Sequence, residues 1–327
     1  MSDDIEFEAP KLPVKDIIGG AGSYSALGAR IFSPPPKSKS VGWIIDCGSD
    51  FPPELRRAID TWNTSCLFRE TPERLTTRGW NGYGANEYRA FKYLTPKIRL
   101  DENSLTPQLL RSKCFHLICA PKRCVSMIDG ILDRRREYGK EVEAPIFVWE
   151  PVPDLCTPEE LENCKRALQR VDYVSPNHEE LAGFYGAQGN TNDSVDRPLI
   201  EKCTRDWLQS HTQDSKPKAV IVRAGKEGCY VAGGTENSWI PAYHQRDEKV
   251  VDPTGGGNAF LGGLAIELAR GSSIMDAAIC GSVAASFAIE QVGVPELNSV
   301  GSEKEEWNGK SAANRVEELQ RRWRQLS

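Results

Sequence analysis

Short apolar runs alternate with helix-spaced segments along most of this chain, and that alternation restricts its fold more than any other feature. "VGWIIDCG" (41–48), "CFHLICA" (114–120) and "APIFVWEP" (144–151) read as buried strands. Residues 52–62 and 125–139 carry helical spacing, the first opening on proline. Strand then helix, repeated, builds a mostly parallel sheet with helices on both faces, the α/β class. Upstream, 19–32 starts on two glycines and spaces Tyr24, Leu27 and Ile31 as a helix, which "SPPPKSKS" (33–40) ends. Thr157 with Pro158 and Glu160 reads as a capping box. Residues 172–186 read as a strand turning at Pro176-Asn177 into a short helix, and 218–234 as a hairpin. Helices follow at 257–270 and about 273–290, then a polar linker over 296–310. A last helix at about 311–327 places Val316, Leu319, Trp323 and Leu326 on one face.

Two regions break the alternation. The first eighteen residues suggest little structure of their own. Residues 70–113 mix glycine, arginine and the aromatics Trp80, Tyr83, Tyr88, Phe91 and Tyr93 without a sustained period. A surface excursion would show the same mixture, but so many aromatics favour a packed, β-rich lid or partner surface over about 70–100.

At 327 residues the chain is read as a single domain, 1–327. Its net charge of −5 argues against a dedicated nucleic-acid surface, so no direct nucleic-acid partner is expected. The ten cysteines form no CxxC pair, and the four histidines no metal-like pair. The acidic N-terminus is no signal peptide, and no apolar run reaches membrane-spanning length. The expectation is a reduced, cytoplasmic protein without a membrane partner.

In an open parallel sheet, ligands gather beyond the carboxyl ends of the strands. "VVDPTGGGNAF" (250–260) reads as a strand emptying through glycines into a helix start, where backbone N–H groups and the helix dipole favour an anion. A plain tight turn explains three glycines equally well. Asn177 and Glu180 lie one helical turn apart, able to face one site or merely to cap a helix. "RAGKEG" (223–228) suits either a nucleotide or a hairpin turn.

Taken in order, a GG pair, an NxxE pair, a GxxG turn and "DPTGGGN" resemble the PfkB (ribokinase-like) family of carbohydrate and nucleoside kinases. The likeness runs from about 19 to 295, and its details look most like the fungal maintenance-of-killer branch. The resemblance implies a ribokinase-like fold with a small lid. It also implies ATP and Mg²⁺ as cofactors, and a sugar or nucleoside as the second ligand. By the same carry-over, Gly19 and Gly20 line the sugar pocket and Asp4 is a remnant of the sugar-binding aspartate. Asn177 supports Mg²⁺ and phosphate, Glu180 holds Mg²⁺ through water, and Gly225, Gly228 and Thr254 lie on the nucleotide side. Gly255, Gly256 and Gly257 form the anion hole, and Asp252 marks a monovalent-cation site, K⁺ being the candidate. Pairing of two copies through the lid is a further expectation.

Asn258 stands where active members carry the catalytic aspartate. A positioned general base is worth ~10²–10⁴-fold, but phosphoryl transfer draws most of its rate from positioning and charge neutralisation. Slow transfer to an alcohol therefore stays open, with Asn258→Asp expected to speed it. The alternative is a non-catalytic nucleotide-binding scaffold. The branch's link to the stability of double-stranded RNA virus particles suits that role.

Overall fold

The computed structural model describes residues 2–7, 12–83, 89–137, 143–191, 194–209, 217–234, 236–298 and 305–326. Tyr88 of the lid aromatics lies outside them. Along the chain, β1 (Ser2–Glu6) and β2 (Val14–Ile18) lead into α1 (Ala21–Ile31). Next come β3 (Gly42–Cys47), α2 (Pro53–Thr61), β4 (Ser65–Glu70), β5 (Arg78–Tyr83) and β6 (Arg89–Tyr93). The single turn α3 (Pro107–Leu110) precedes β7 (Cys114–Ile118), α4 (Pro121–Glu137), β8 (Ile146–Glu150) and α5 (Leu161–Leu168). Then follow β9 (Tyr173–Val174), α6 (His178–Gly183), the short pair β10 (Asn190–Thr191) and β11 (Ser194–Val195), and α7 (Arg197–Gln209). The chain closes with β12 (Ala219–Arg223), β13 (Cys229–Gly233), β14 (Glu236–Ile240), α8 (Gly256–Arg270), α9 (Ile274–Ala288) and α10 (Ala312–Leu326).

The main sheet has the order β14-β13-β12-β9-β8-β7. Pairing is parallel from β7 through β12 and antiparallel across β13 and β14. Side chains alternate across it as the strand period demands. Ala219 and Ile221 enter one core with α1, α8 and α9, while Val220 and Val222 enter the other with α4, α5 and α7. This is the α/β arrangement that the alternation implies, with helices on both faces.

The lid is a separate sheet of order β2-β1-β5-β6. Here the N-terminal residues form more than expected: β1 pairs in parallel with β5, and β2 completes the edge. A two-stranded pair alone is marginal, and the partner 76 residues away (Ser2 opposite Arg78) extends it into a sheet. Arg78 ties the sheet together through ion pairs to Asp4 at 3.1 Å and Asp16 at 2.6 Å.

Other details depart from the sequence reading. Thr157 makes no side-chain cap, because Pro158–Glu160 is a 3₁₀ turn and α5 starts only at Leu161. On α10, Leu319 is buried, but Leu326 is 71% exposed, one turn beyond the packed face. The stretch read as a polar linker is anchored by buried Glu305 and Trp307. Helix α7 and strand β14 were not assigned from sequence at all.

Candidate functional site

Two close helix contacts position the site. A methyl on Gly28 would meet the Ala259 carbonyl oxygen at 2.0 Å, and one on Gly262 would meet that of Ser25 at 1.9 Å. Helices α1 and α8 therefore touch backbone to backbone, with Gly28 against Ala259 and Ser25 against Gly262. Gly255 precedes that turn at φ 77°. A side chain there would also run into the Tyr24 ring at 2.3 Å, so glycine is required twice over.

Above this contact a groove of about 3340 Å³ follows the carboxyl ends of the strands. Single small-molecule pockets run to ~300–1,000 Å³, so there is room for two ligands side by side. Gly255, Gly256, Gly257 and Asn258 form one wall. Asn177 and Glu180 line another part, and Gly225 and Gly228 a third. Three separate segments singled out in the sequence thus meet. The first-turn amides of Gly257 and Asn258 have no backbone acceptor among the described residues. Such amides lie at the positive end of the helix dipole.

Glu150, at the end of β8, is the hub of the site. Its Oε2 accepts a hydrogen bond from Asn258 Nδ2 at 2.9 Å and lies 3.2 Å from His116 Nε2. Its Oε1 lies 2.9 Å from Arg223 Nη1. Behind it, His116 Nδ1 is 2.8 Å from Ser25 Oγ, extending the chain from α8 to α1. Burial raises the Glu150 carboxyl, but Arg223, His116 and Asn258 together outweigh it and hold the group below its ordinary value.

Arg223 ends β12 and reaches across the groove. Its Nη2 donates to Glu180 Oε2 at 3.3 Å and to the Ser175 carbonyl at 3.1 Å. Its Nη1 lies only 2.1 Å from where a methyl on Gly257 would stand, so the guanidinium rests on the glycine loop. Asn177 and Glu180 do form a reciprocal capping box, at 2.7 and 2.8 Å. Burial lifts the Glu180 carboxyl to about 6, against the pull of Arg223 and the Asn177 amide.

Several other expected residues lie elsewhere. Thr254 and Asp252 are buried inside the loop, where the Thr254 amide donates to Asp252 Oδ1 at 2.9 Å, rather than on the groove wall. Asp4 turns away to Arg78 and to the Asp16 amide. Its neighbour Asp3 takes the place beside the paired glycines: the Gly20 amide donates to Asp3 Oδ2 at 3.3 Å, and a methyl on Gly19 would meet that carboxyl at 2.0 Å. Strand alternation decides between the two, since adjacent residues face opposite ways.

The magnesium implied at Glu180 meets a poor donor set. That carboxylate already serves Arg223 and Asn177, and a guanidinium fills the space between it and Glu150. Among the described residues no three His, Cys, Asp or Glu side chains cluster to hold a metal.

The sequence reading missed Ser25, His116, Glu150 and Arg223. Two of them had a signal. "FVWEP" and "VIVRAG" each end an apolar strand on a charged residue, at the sheet edge where ligands bind.

The model of the pfkB family of carbohydrate kinases matches residues 148–299, from β8 to beyond α9. The Saccharomyces cerevisiae "Protein MAK32" is 36% identical over 96% of this chain and 88% of its own. An uncharacterised Schizosaccharomyces pombe protein is 34% identical over 97% and 89%. Among solved structures, a Cryptococcus neoformans ribokinase in complex with ADP superposes with a TM-score of 0.65 at 18% identity, covering 90% of this chain and 92% of that one. With the strand order, the groove and these likenesses together, the chain belongs to the PfkB (ribokinase-like) carbohydrate kinase family and sides with its fungal maintenance-of-killer branch.

Proposed function

We propose that the chain binds ATP in this groove, with its phosphates toward Gly255–Gly257 and its base toward Gly225 and Gly228. A small sugar or nucleoside takes the remaining space, and phosphoryl transfer to it is slow. The observation that carries the reading is the bond from Asn258 to Glu150. The residue at the base position offers an N–H to a carboxylate instead of an acceptor to a hydroxyl. Glu150 itself is a poor substitute, because Arg223, His116 and Asn258 already stabilise its charged form. The same saturation favours a second reading, in which nucleotide is held without turnover and the protein serves as a scaffold.

Thermal unfolding with ATP, with and without Mg²⁺, tests the binding. At a hundredfold excess over Kd the added stability is about 2.7 kcal/mol, or roughly 4 °C in Tm for a chain of this size. Transfer from labelled ATP to a panel of sugars and nucleosides then separates the readings. Slow transfer supports a kinase, none a scaffold, and no thermal shift at millimolar ATP refutes both. The monovalent cation expected at Asp252 belongs to this proposal, and K⁺ in place of Na⁺ would have to raise the melting point.

Pairing of two copies through the lid is also proposed. Phe91, Tyr93 and Leu94 on and just after β6 are 47%, 43% and 45% exposed, leaving an apolar strip. Light scattering should give twice the chain mass, and Phe91→Glu should halve it. A native monomer at high micromolar concentration would rule the pairing out.

A further inference from the structure

Arg223 occupies the ground between Glu150 and Glu180 that a divalent ion would have to bridge. Its place is built in. The backbone amide of Arg223 donates to the Pro176 carbonyl at 3.0 Å, and its Nη2 is held by the Ser175 carbonyl. The side chain is 13% exposed, packed on the Gly257 backbone at the mouth of the glycine loop. A guanidinium stays charged at any working pH, and its planar fork matches phosphate oxygens. Its buried Nε has no hydrogen-bond partner among the described residues. A metal entering here would face that fixed positive charge and two carboxylates that already share it in ion pairs.

We propose that Arg223 is the resident cation of the groove, standing in the place of a divalent metal, and that the groove takes the polyphosphate of a nucleotide without metal. The inference rests on the nucleotide reading above. It assigns the charge neutralisation to a side chain, with the first-turn amides of Gly257 and Asn258 as the other donors.

Calorimetric titration of ATP into the full chain, in EDTA and in millimolar Mg²⁺, tests it. The two dissociation constants should agree within about threefold. In Arg223→Met, affinity in EDTA should fall by about tenfold or more. Mg²⁺ should restore much of it, because Glu150 and Glu180, freed of the guanidinium, would be available to hold the ion. A merely structural arginine would show no such metal rescue. Should that variant fail to fold, Arg223→Lys keeps the charge without the fork and should bind several-fold more weakly in EDTA; the native chain's two titrations decide the matter regardless. Native binding at least about tenfold tighter with Mg²⁺ would overturn this inference alone. So would Arg223→Met binding ATP in EDTA as the native chain does. No binding in either buffer would overturn it together with the nucleotide reading.

Discussion

Asn258→Asp is expected to destabilise the protein and to leave phosphoryl transfer no faster, although it restores the family's usual residue. Sequence alone argued the opposite. The reversal comes from Glu150, whose Oε2 lies 2.9 Å from the Asn258 amide nitrogen. An aspartate there would set two carboxylates against each other in a buried site, and one pKa must rise. Proton uptake bounds the loss: holding a carboxyl protonated at pH 7 costs about 4 kcal/mol at most. Arg223 and His116 offset part of that, so the expected loss is about 2–3 kcal/mol. The sign with pH follows from the raised pKa. The deficit is absent below the ordinary carboxylate pKa and grows as pH rises through the raised one, so native and variant melting curves should converge near pH 4. Adding Glu150→Gln removes the repulsion and supplies an amide to the introduced carboxylate. The double variant should recover most of the stability and, if the chain is a slow kinase, gain about tenfold or more in transfer, part of the ~10²–10⁴ a base supplies. Asn258→Asp alone speeding transfer by a decade would show that Glu150 does not compete for the position.

The frame of the molecule was legible because its strands are buried on both faces and its helices on one. "VIVRAG" and "FVWEP" are apolar runs of strand length, and the glycine loop marks the start of α8, although residues 250–255 before it form no strand. The lid was legible only in half. Residues 78–93 are rich in aromatics, while Ser2–Glu6 becomes a strand by pairing with β2 and with the distant β5. Long-range pairing of that kind leaves no local trace.

The site divides the same way. Glycines announce themselves by what they permit, so the glycine loop before α8 and the GxxG turn could be located in advance. Arg223 and Glu150 lie 73 positions apart, and only the neighbouring order of β8, β9 and β12 brings them together. Asp3 and Asp4 show the finer limit. A motif match locates a strand to within a residue, but a shift of one reverses which carboxylate reaches Gly20.

Glu305→Ala is expected to lower stability by about 3–5 kcal/mol, the usual cost of leaving a buried partner charge unpaired. Arg30 on α1 is fully buried, and its fork meets Glu305 through Nη1 at 2.7 Å and Nη2 at 2.8 Å. Two further N–H groups donate to the carbonyls of Trp62 and Ser33, and the guanidinium lies over the Trp307 ring at 5.6 Å. This pair fastens Glu305 to the first helix, across 275 positions of sequence. No apolar period announces it, which is why the stretch reads as a linker. Once Glu305 is gone, Arg30 can neither shed its proton nor reach water. For 327 residues, the loss corresponds to roughly 4–7 °C in Tm. Replacing both partners by apolar residues of similar size should cost far less than the single change, since no orphaned charge remains. Equal losses in the single and double variants would mean that packing, not charge, fixes the segment. A Glu305→Ala protein melting with the native one would mean that residues 305–310 are not docked in solution.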